Sequence, residues 1–145
     1  MFMGEFSHSL DAKGRLIMPA KYREQLGETF VVTKGSDQCL FVYSMEEWQD
    51  IANRFREILR TGKEARQFAR SFFAGAQEIE IDKQGRFILP ANLKTHADLK
   101  KDVVLAGVLD RIEIWDKERW EANNADGEED MDSIFEKMAE RGLNI

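Results

Sequence analysis

Along residues 5–11, Phe6, His8 and Leu10 alternate with polar neighbours, and along residues 77–82, Ile79 and Ile81 alternate with glutamates or acidic ends. Alternation of this kind buries one face of an extended chain, so both stretches are predicted strands. Each runs into a four-residue segment with Asp first and Gly fourth, "DAKG" at 11–14 and "DKQG" at 82–85. That pattern predicts a type I turn closing on a residue of positive φ, with the chain returning as a hairpin through "RLIM" or "RFIL". Pro19 and Pro90 end those strands and open short helices, "PAKYREQLG" (stopped by Gly27) and "PANLKTHADL", because the fixed φ of proline suits the first helical position. Two more strands follow in each case, "TFVVTKG" with "CLFVYS" and "DVVLAGV" with "RIEIWD". Ser44 and Asp116 then suit N-caps of helices running through Trp48 and Trp120, and Ser44 with Glu47 forms a capping-box pattern.

The two runs of elements are copies. At an offset of 71, Gly4, Asp11, Gly14, Arg15, Ile17, Pro19 and Ala20 meet Gly75, Asp82, Gly85, Arg86, Ile88, Pro90 and Ala91. One inserted residue later, Val31, Val32, Gly35 and Trp48 meet Val103, Val104, Gly107 and Trp120. A repeat of special residue types in order implies one supersecondary unit used twice. The units span 5–47 and 76–119, separated by 48–75 and followed by 120–145. Between them, residues 45–73 carry apolar side chains at helical spacing, which predicts two helices broken at "TGK". Phe68, Phe72 and Phe73 either fill the core or form a subunit contact, and Arg66 and Arg70 read as a solvated face. The stretch "NNADGEEDMD" reads as a loose link to a last helix, "SIFEKMAERG".

The net charge of −6 argues at first against a nucleic-acid partner. Residues 116–145, however, hold ten acids and four bases, leaving 17 of each in residues 1–115. The excess acid is all C-terminal, so a basic face elsewhere is permitted. No apolar run approaches the roughly 20 residues of a spanning helix, and "MFMGEFSHSLD" lacks signal-peptide regions, so a cytoplasmic protein is expected. The single Cys39, in "CLFVY", reads as a small core residue, with a reactive thiol as the alternative. His8 and His96 have no ligand pattern around them, and no glycine-rich phosphate motif occurs. No enzyme, metal or cofactor is expected.

What remains is the repeated turn. An Asp opening a turn accepts hydrogen bonds from backbone N–H groups two or more residues on, and Gly takes the positive φ. Arg15 and Arg86 then either pair with Asp11 and Asp82 or reach outward. An exposed pair adds little stability, whereas the planar guanidinium fork suits phosphate and the guanine edge. Lys13 and Lys83 lie on the turns, and Lys21 and Arg23 follow on the first helix where the second has Asn92 and Lys94. Spacing alone leaves three readings open: nucleic-acid contact, structural turn pairing, and a protein partner.

Two D-x-x-G-R turns, each inside a β-β-α-β-β unit, together with "MFMGEFSHSLDAKGRLIMPAKYRE" and "GSDQCLFVYSMEEW", resemble the MraZ family over essentially the whole chain. The resemblance implies an α+β fold in which two tandem SpoVT/AbrB-type units form a swapped-hairpin β-barrel core, with added helices between the units and at the C-terminus. It implies a cytoplasmic, nucleoid-associated regulator, expected to repress the division and cell-wall gene cluster by binding short G-rich direct repeats in promoter DNA. Members of the family assemble into homo-oligomeric rings. On this reading Arg15 and Arg86 contact DNA with Lys13, Lys83, Lys21 and Arg23 in support, while Asp11, Gly14, Asp82 and Gly85 shape the loops. The first unit, with its extra cations, is expected to dominate. The rivals are a protein-interaction module and an AbrB-like antitoxin or RNA binder.

Overall fold

The structure is a computed structural model describing residues 1–125 and 130–145. Its elements are β1 (Phe2–Ser9), β2 (Arg15–Ile17), α1 (Ala20–Leu26), β3 (Thr29–Lys34), β4 (Leu40–Ser44), α2 (Met45–Ile58), α3 (Lys63–Phe72), β5 (Gln77–Glu80), β6 (Arg86–Ile88), α4 (Ala91–His96), β7 (Asp102–Leu109), β8 (Arg111–Asp116), α5 (Lys117–Ala125) and α6 (Met131–Glu140). The β-β-α-β-β order therefore occurs twice in this mixed α+β fold. Ser44 caps α2 by accepting the Glu47 backbone N–H at 3.1 Å, and a short 3-10 turn before Gly62 separates α2 from α3 near "TGK". The last helix begins earlier than "SIFEK", at Met131, because the Asp130 carboxylate caps it by accepting the Ser133 N–H at 2.9 Å. Of the link read in "NNADGEEDMD", Asn123 to Ala125 belong to α5, and residues 126–129 lie outside the described residues.

Pairing departs from the expected local hairpins. The turns form, but β1 and β2 separate beyond them: β1 lies antiparallel to β7, and β2 pairs with β6 of the other unit. A six-stranded sheet has the order β1-β7-β8-β4-β3-β5, and β2-β6 forms a separate ribbon. Exchanging the units maps this order onto itself, since the first strand of each unit lies against the third strand of the other. The physical reason is hydrogen-bond satisfaction. Each strand needs a partner for its backbone groups, and alternation specifies the buried face without specifying the neighbour.

Both units share one core. Leu16, Met18, Tyr22 and Phe30 pack with Phe87, Leu89, Leu93, Ile112 and Ile114, all almost fully buried. The rings of Phe30 and Phe87 meet edge to face across the units at 5.3 Å. Each such side chain taken from water stabilises the fold by about 1.5–3 kcal/mol, so neither unit's core is complete alone. The opposite face of the sheet carries a second cluster, with Cys39, Phe41, Tyr43, Phe72 and Trp115 beneath α2, α3 and α5. This two-sided burial explains why β4 reads as a continuous apolar run. Among the described residues no helix is long and apolar enough to cross a membrane.

Candidate nucleic-acid interface

The two D-x-x-G-R segments fold alike. In the first, Gly14 N–H donates to the Asp11 carbonyl at 3.0 Å, and Asp11 N–H donates to the Arg15 carbonyl at 3.0 Å. The second repeats both bonds between Gly85, Asp82 and Arg86. Gly14 and Gly85 take φ of +75° and +78°, a region side chains with a Cβ resist. Asp11 Oδ1 accepts from the backbone N–H of Lys13 (2.9 Å) and Arg15 (2.8 Å), while Oδ2 accepts from Arg15 Nε at 2.6 Å. Asp82 does the same toward Gln84, Arg86 and Arg86 Nε at 2.8, 2.9 and 3.0 Å. The backbone N–H of Arg15 holds the Asp11 carboxyl below its ordinary range, with the Arg15 side chain and the Lys13 N–H assisting. The Arg86 N–H does this for Asp82, helped by the Gln84 N–H and the Arg86 side chain.

Each arginine thus spends Nε on its turn. Among the described residues the Nη groups of Arg15 and Arg86 have no partner, so structural pairing and outward reach coexist in one side chain.

The ribbon sets where these groups point. Arg15 pairs with Ile88 and Ile17 with Arg86, while Leu16 and Phe87 face the core. Residues directly opposite, and residues two apart, share a face, so Arg15, Ile17, Arg86 and Ile88 all lie on the outer one. The two arginine Cα atoms are about 8 Å apart from strand spacing alone. Ile17 and Ile88 are exposed between them. The turns are tied across the units as well: Met18 N–H donates to the Gly85 carbonyl at 2.9 Å and Leu89 N–H to the Gly14 carbonyl at 3.0 Å.

The helix cations cross over. A Cβ built on Gly14 would sit 2.9 Å from Lys94 Nζ, and one on Gly85 would sit 2.8 Å from Arg23 Cζ. Arg23 therefore lies at the second turn, not at the first turn of its own unit, and Lys94 lies at the first. A groove of about 440 Å³ beside the first turn is lined by Asp11, Gly14, Lys94, Asp98 and Lys100. Each turn brings together three cations and one turn carboxylate: Lys13, Arg15 and Lys94 with Asp11, and Lys83, Arg86 and Arg23 with Asp82. Among the described residues Lys13, Lys21, Arg23, Lys83 and Lys94 form no ion pair. Lys21 is exposed on α1. Lys94, Ile17 and Ile88 were not singled out from sequence as contacts, although the repeat carried the signal, because Lys94 is the offset-71 counterpart of Arg23. The free Nη groups of Arg15 and Arg86 on the outer face of the ribbon, with lysines at the turns that form no ion pair, suit phosphate oxygens and guanine edges.

The other candidates resolve into structural roles. Cys39 is buried, and burial pushes its thiol up to about 12, which leaves it protonated and unreactive at neutral pH. His96 Nε2 contacts the Gly35 carbonyl at 3.0 Å. Phe72 is buried in the second cluster, Phe73 packs at its edge, and Phe68 is exposed. Among the described residues no group of His, Cys, Asp and Glu is placed to hold a metal ion.

A family model described as "MraZ protein, putative antitoxin-like" matches this chain twice, over residues 1–71 and 72–142. Transcriptional regulator MraZ of Lachnoclostridium phytofermentans is 56% identical over 145 residues, covering 100% of both chains. The protein of the same name from Thermoanaerobacter sp. is 55% identical over 149 residues, again covering 100% of both. That of Acetivibrio thermocellus is 52% identical over 143 residues, covering 99% of this chain and 100% of its own. With two tandem family matches and full-length relatives at this identity, the chain belongs to the MraZ family, a family of transcriptional regulators and not of enzymes.

Proposed function

We infer that this regulator binds double-stranded DNA through the outer face of the β2-β6 ribbon, reading short G-rich direct repeats in a promoter and repressing the division and cell-wall gene cluster. The observation that carries the reading is the pair of turn arginines with free Nη groups on one face. Asp11 and Asp82 fix the turns and the Nε edge of each arginine, so little side-chain freedom remains to be lost on binding. Arg15 and Arg86 take guanine edges or phosphates, Lys13 and Lys83 take phosphates, and Arg23 and Lys94 add one cation to the turn of the opposite unit. Lys21 extends the basic edge along α1. A two-stranded ribbon is narrow enough to enter the major groove.

The strand order that maps onto itself supports reading residues 5–47 and 76–119 as the two halves of a swapped-hairpin AbrB-type barrel within one chain. Several copies in a homo-oligomeric ring would present such faces to successive repeats, and linked contacts multiply affinity. The working location is the cytoplasm, on the nucleoid.

Fluorescence anisotropy on a duplex of G-rich direct repeats, titrated between about 50 and 200 mM salt, tests the proposal. Affinity is expected to fall linearly in log–log form and to drop for Arg15→Ala with fold and assembly intact. Affinity and salt slope unchanged in that variant would remove the turn from the interface.

A further inference from the structure

A strand pair with one face in the core and the other in water carries polar residues on the wet face. The β2-β6 ribbon breaks that pattern. Its inner side is apolar, with Leu16 and Phe87 1% and 2% exposed, but half of its outer side is apolar too: Ile17 is 43% exposed and Ile88 62%. The two isoleucines occupy the same place in the two units, 71 residues apart, and neither belongs to a core cluster.

Their surroundings fix them. Register places Ile88 directly opposite Arg15 and Ile17 directly opposite Arg86. Opposite residues have Cα atoms about 4.5–5.5 Å apart, and residues two along a strand about 6.8 Å. Base pairs rise about 3.4 Å each, so each isoleucine stands within about two base pairs of a guanine edge taken by its neighbouring arginine. The ribbon also holds them still. The next residue along each strand is tied to the opposite turn, Met18 N–H to the Gly85 carbonyl and Leu89 N–H to the Gly14 carbonyl, at 2.9 and 3.0 Å. Isoleucine is stiff at χ1, so an ordered apolar ledge exists before DNA arrives.

Groove chemistry decides what such a ledge can recognise. Base edges in the major groove present nitrogen and oxygen atoms with one apolar exception, the C5-methyl group of thymine. An isoleucine pressed on adenine, guanine or cytosine strips water from a donor or acceptor and returns no hydrogen bond, whereas on thymine it buries a methyl group. We propose that Ile17 and Ile88 are specificity-determining residues that read thymine methyl groups beside the guanines held by Arg15 and Arg86. Attraction to the methyl and exclusion of the polar edges act together. The lysines bind any duplex and the arginines select guanine; the isoleucines add a preference for thymine close to it. This inference rests on the DNA reading above and deepens it.

The test is fluorescence anisotropy with the full chain on two duplexes of G-rich direct repeats, one with thymine at every pyrimidine flanking the guanine runs and one with uracil at those places. Uracil removes the methyl and leaves phosphates and hydrogen-bonding groups as they are. Wild type is expected to bind the uracil duplex about fourfold more weakly for each methyl contacted, the size of one buried methyl group, at an unchanged salt slope. Ile17→Ala and Ile88→Ala, with circular dichroism confirming the fold, are expected to bind the thymine duplex more weakly, and I17A/I88A to bind both duplexes alike. Equal wild-type affinity for the two duplexes would overturn the methyl contact and leave the DNA reading standing. Variants that keep the full uracil penalty would place the isoleucines against something other than a methyl and overturn it too. Wild type that binds neither duplex would overturn the DNA reading and this inference with it. The uracil comparison needs no variant, so it decides even where an alanine disturbs the ribbon.

Discussion

The first and second turns share a carboxylate frame almost bond for bond, yet their surroundings differ. Asp11 and Asp82 each hold two backbone N–H groups and one arginine Nε at 2.6–3.0 Å. The first turn carries its lysine at the third position and faces Lys94, whereas the second carries it at the second position and faces Arg23. The motif builds the frame from its own residues, but the opposite unit supplies the neighbouring cation. A comparison of the units by composition therefore misassigns the charge: Arg23, counted with the first unit, sits at the second turn.

If the two turns form one cross-linked device, damage beneath either should loosen both. Phe87→Ala removes a ring that is 2% exposed and packs on Phe30, so it should cost about 3–5 kcal/mol. Leu16→Ala, on the partner strand, should cost about 2–5 kcal/mol. Denaturant unfolding gives the loss, and hydrogen exchange should show protection falling at the amides of both turns in each variant. Protection lost at one turn only would separate them.

Arg15→Ala and Arg86→Ala compare the two frames directly. Each should weaken DNA binding by about 1–3 kcal/mol in anisotropy titrations and reduce guanine preference at the contacted position. Near-equal losses mean that the frame governs; a clear excess for Arg15 restores the expectation that the first unit dominates.

Gly14→Ala and Gly85→Ala force a Cβ into positive φ and should each cost about 1–2 kcal/mol by thermal or denaturant unfolding. Both also displace the crossing cation, so the salt slope of DNA binding should fall by about one for each. Stability lost without any change in slope would mean that Lys94 and Arg23 touch no phosphate.

The smallest effect is that of acid. Both carboxyls lie below their ordinary value of 3.8, so they stabilise the folded state in full above that value and lose the contribution as pH falls through their folded pKa values. Titration followed by carboxyl chemical shifts should find both inflections below about pH 4, where unpaired aspartates titrate. An inflection at the ordinary value for one aspartate would break the equivalence of the frames.

Much of this was legible in the sequence because it is local. Alternation placed the strands, Pro19 and Pro90 the helix starts, Ser44 the cap of α2, and the D-x-x-G-R spacing the turns with their bonds. Partner choice was not legible. The inward pattern of Leu16 and Phe87 is satisfied equally by a local hairpin and by pairing across the units, and only the shared core separates them. The role of Lys94 was hidden for the same reason, since its neighbour Gly14 is 80 residues away in sequence.

The most direct test of the crossed turns is a pair of double-mutant cycles in DNA affinity, Lys94→Ala with Arg15→Ala and Lys94→Ala with Arg86→Ala. The account predicts coupling above about 0.5 kcal/mol in the first cycle and additivity within that margin in the second. Coupling to Arg86 instead of Arg15, or no effect of Lys94→Ala on affinity, would contradict it.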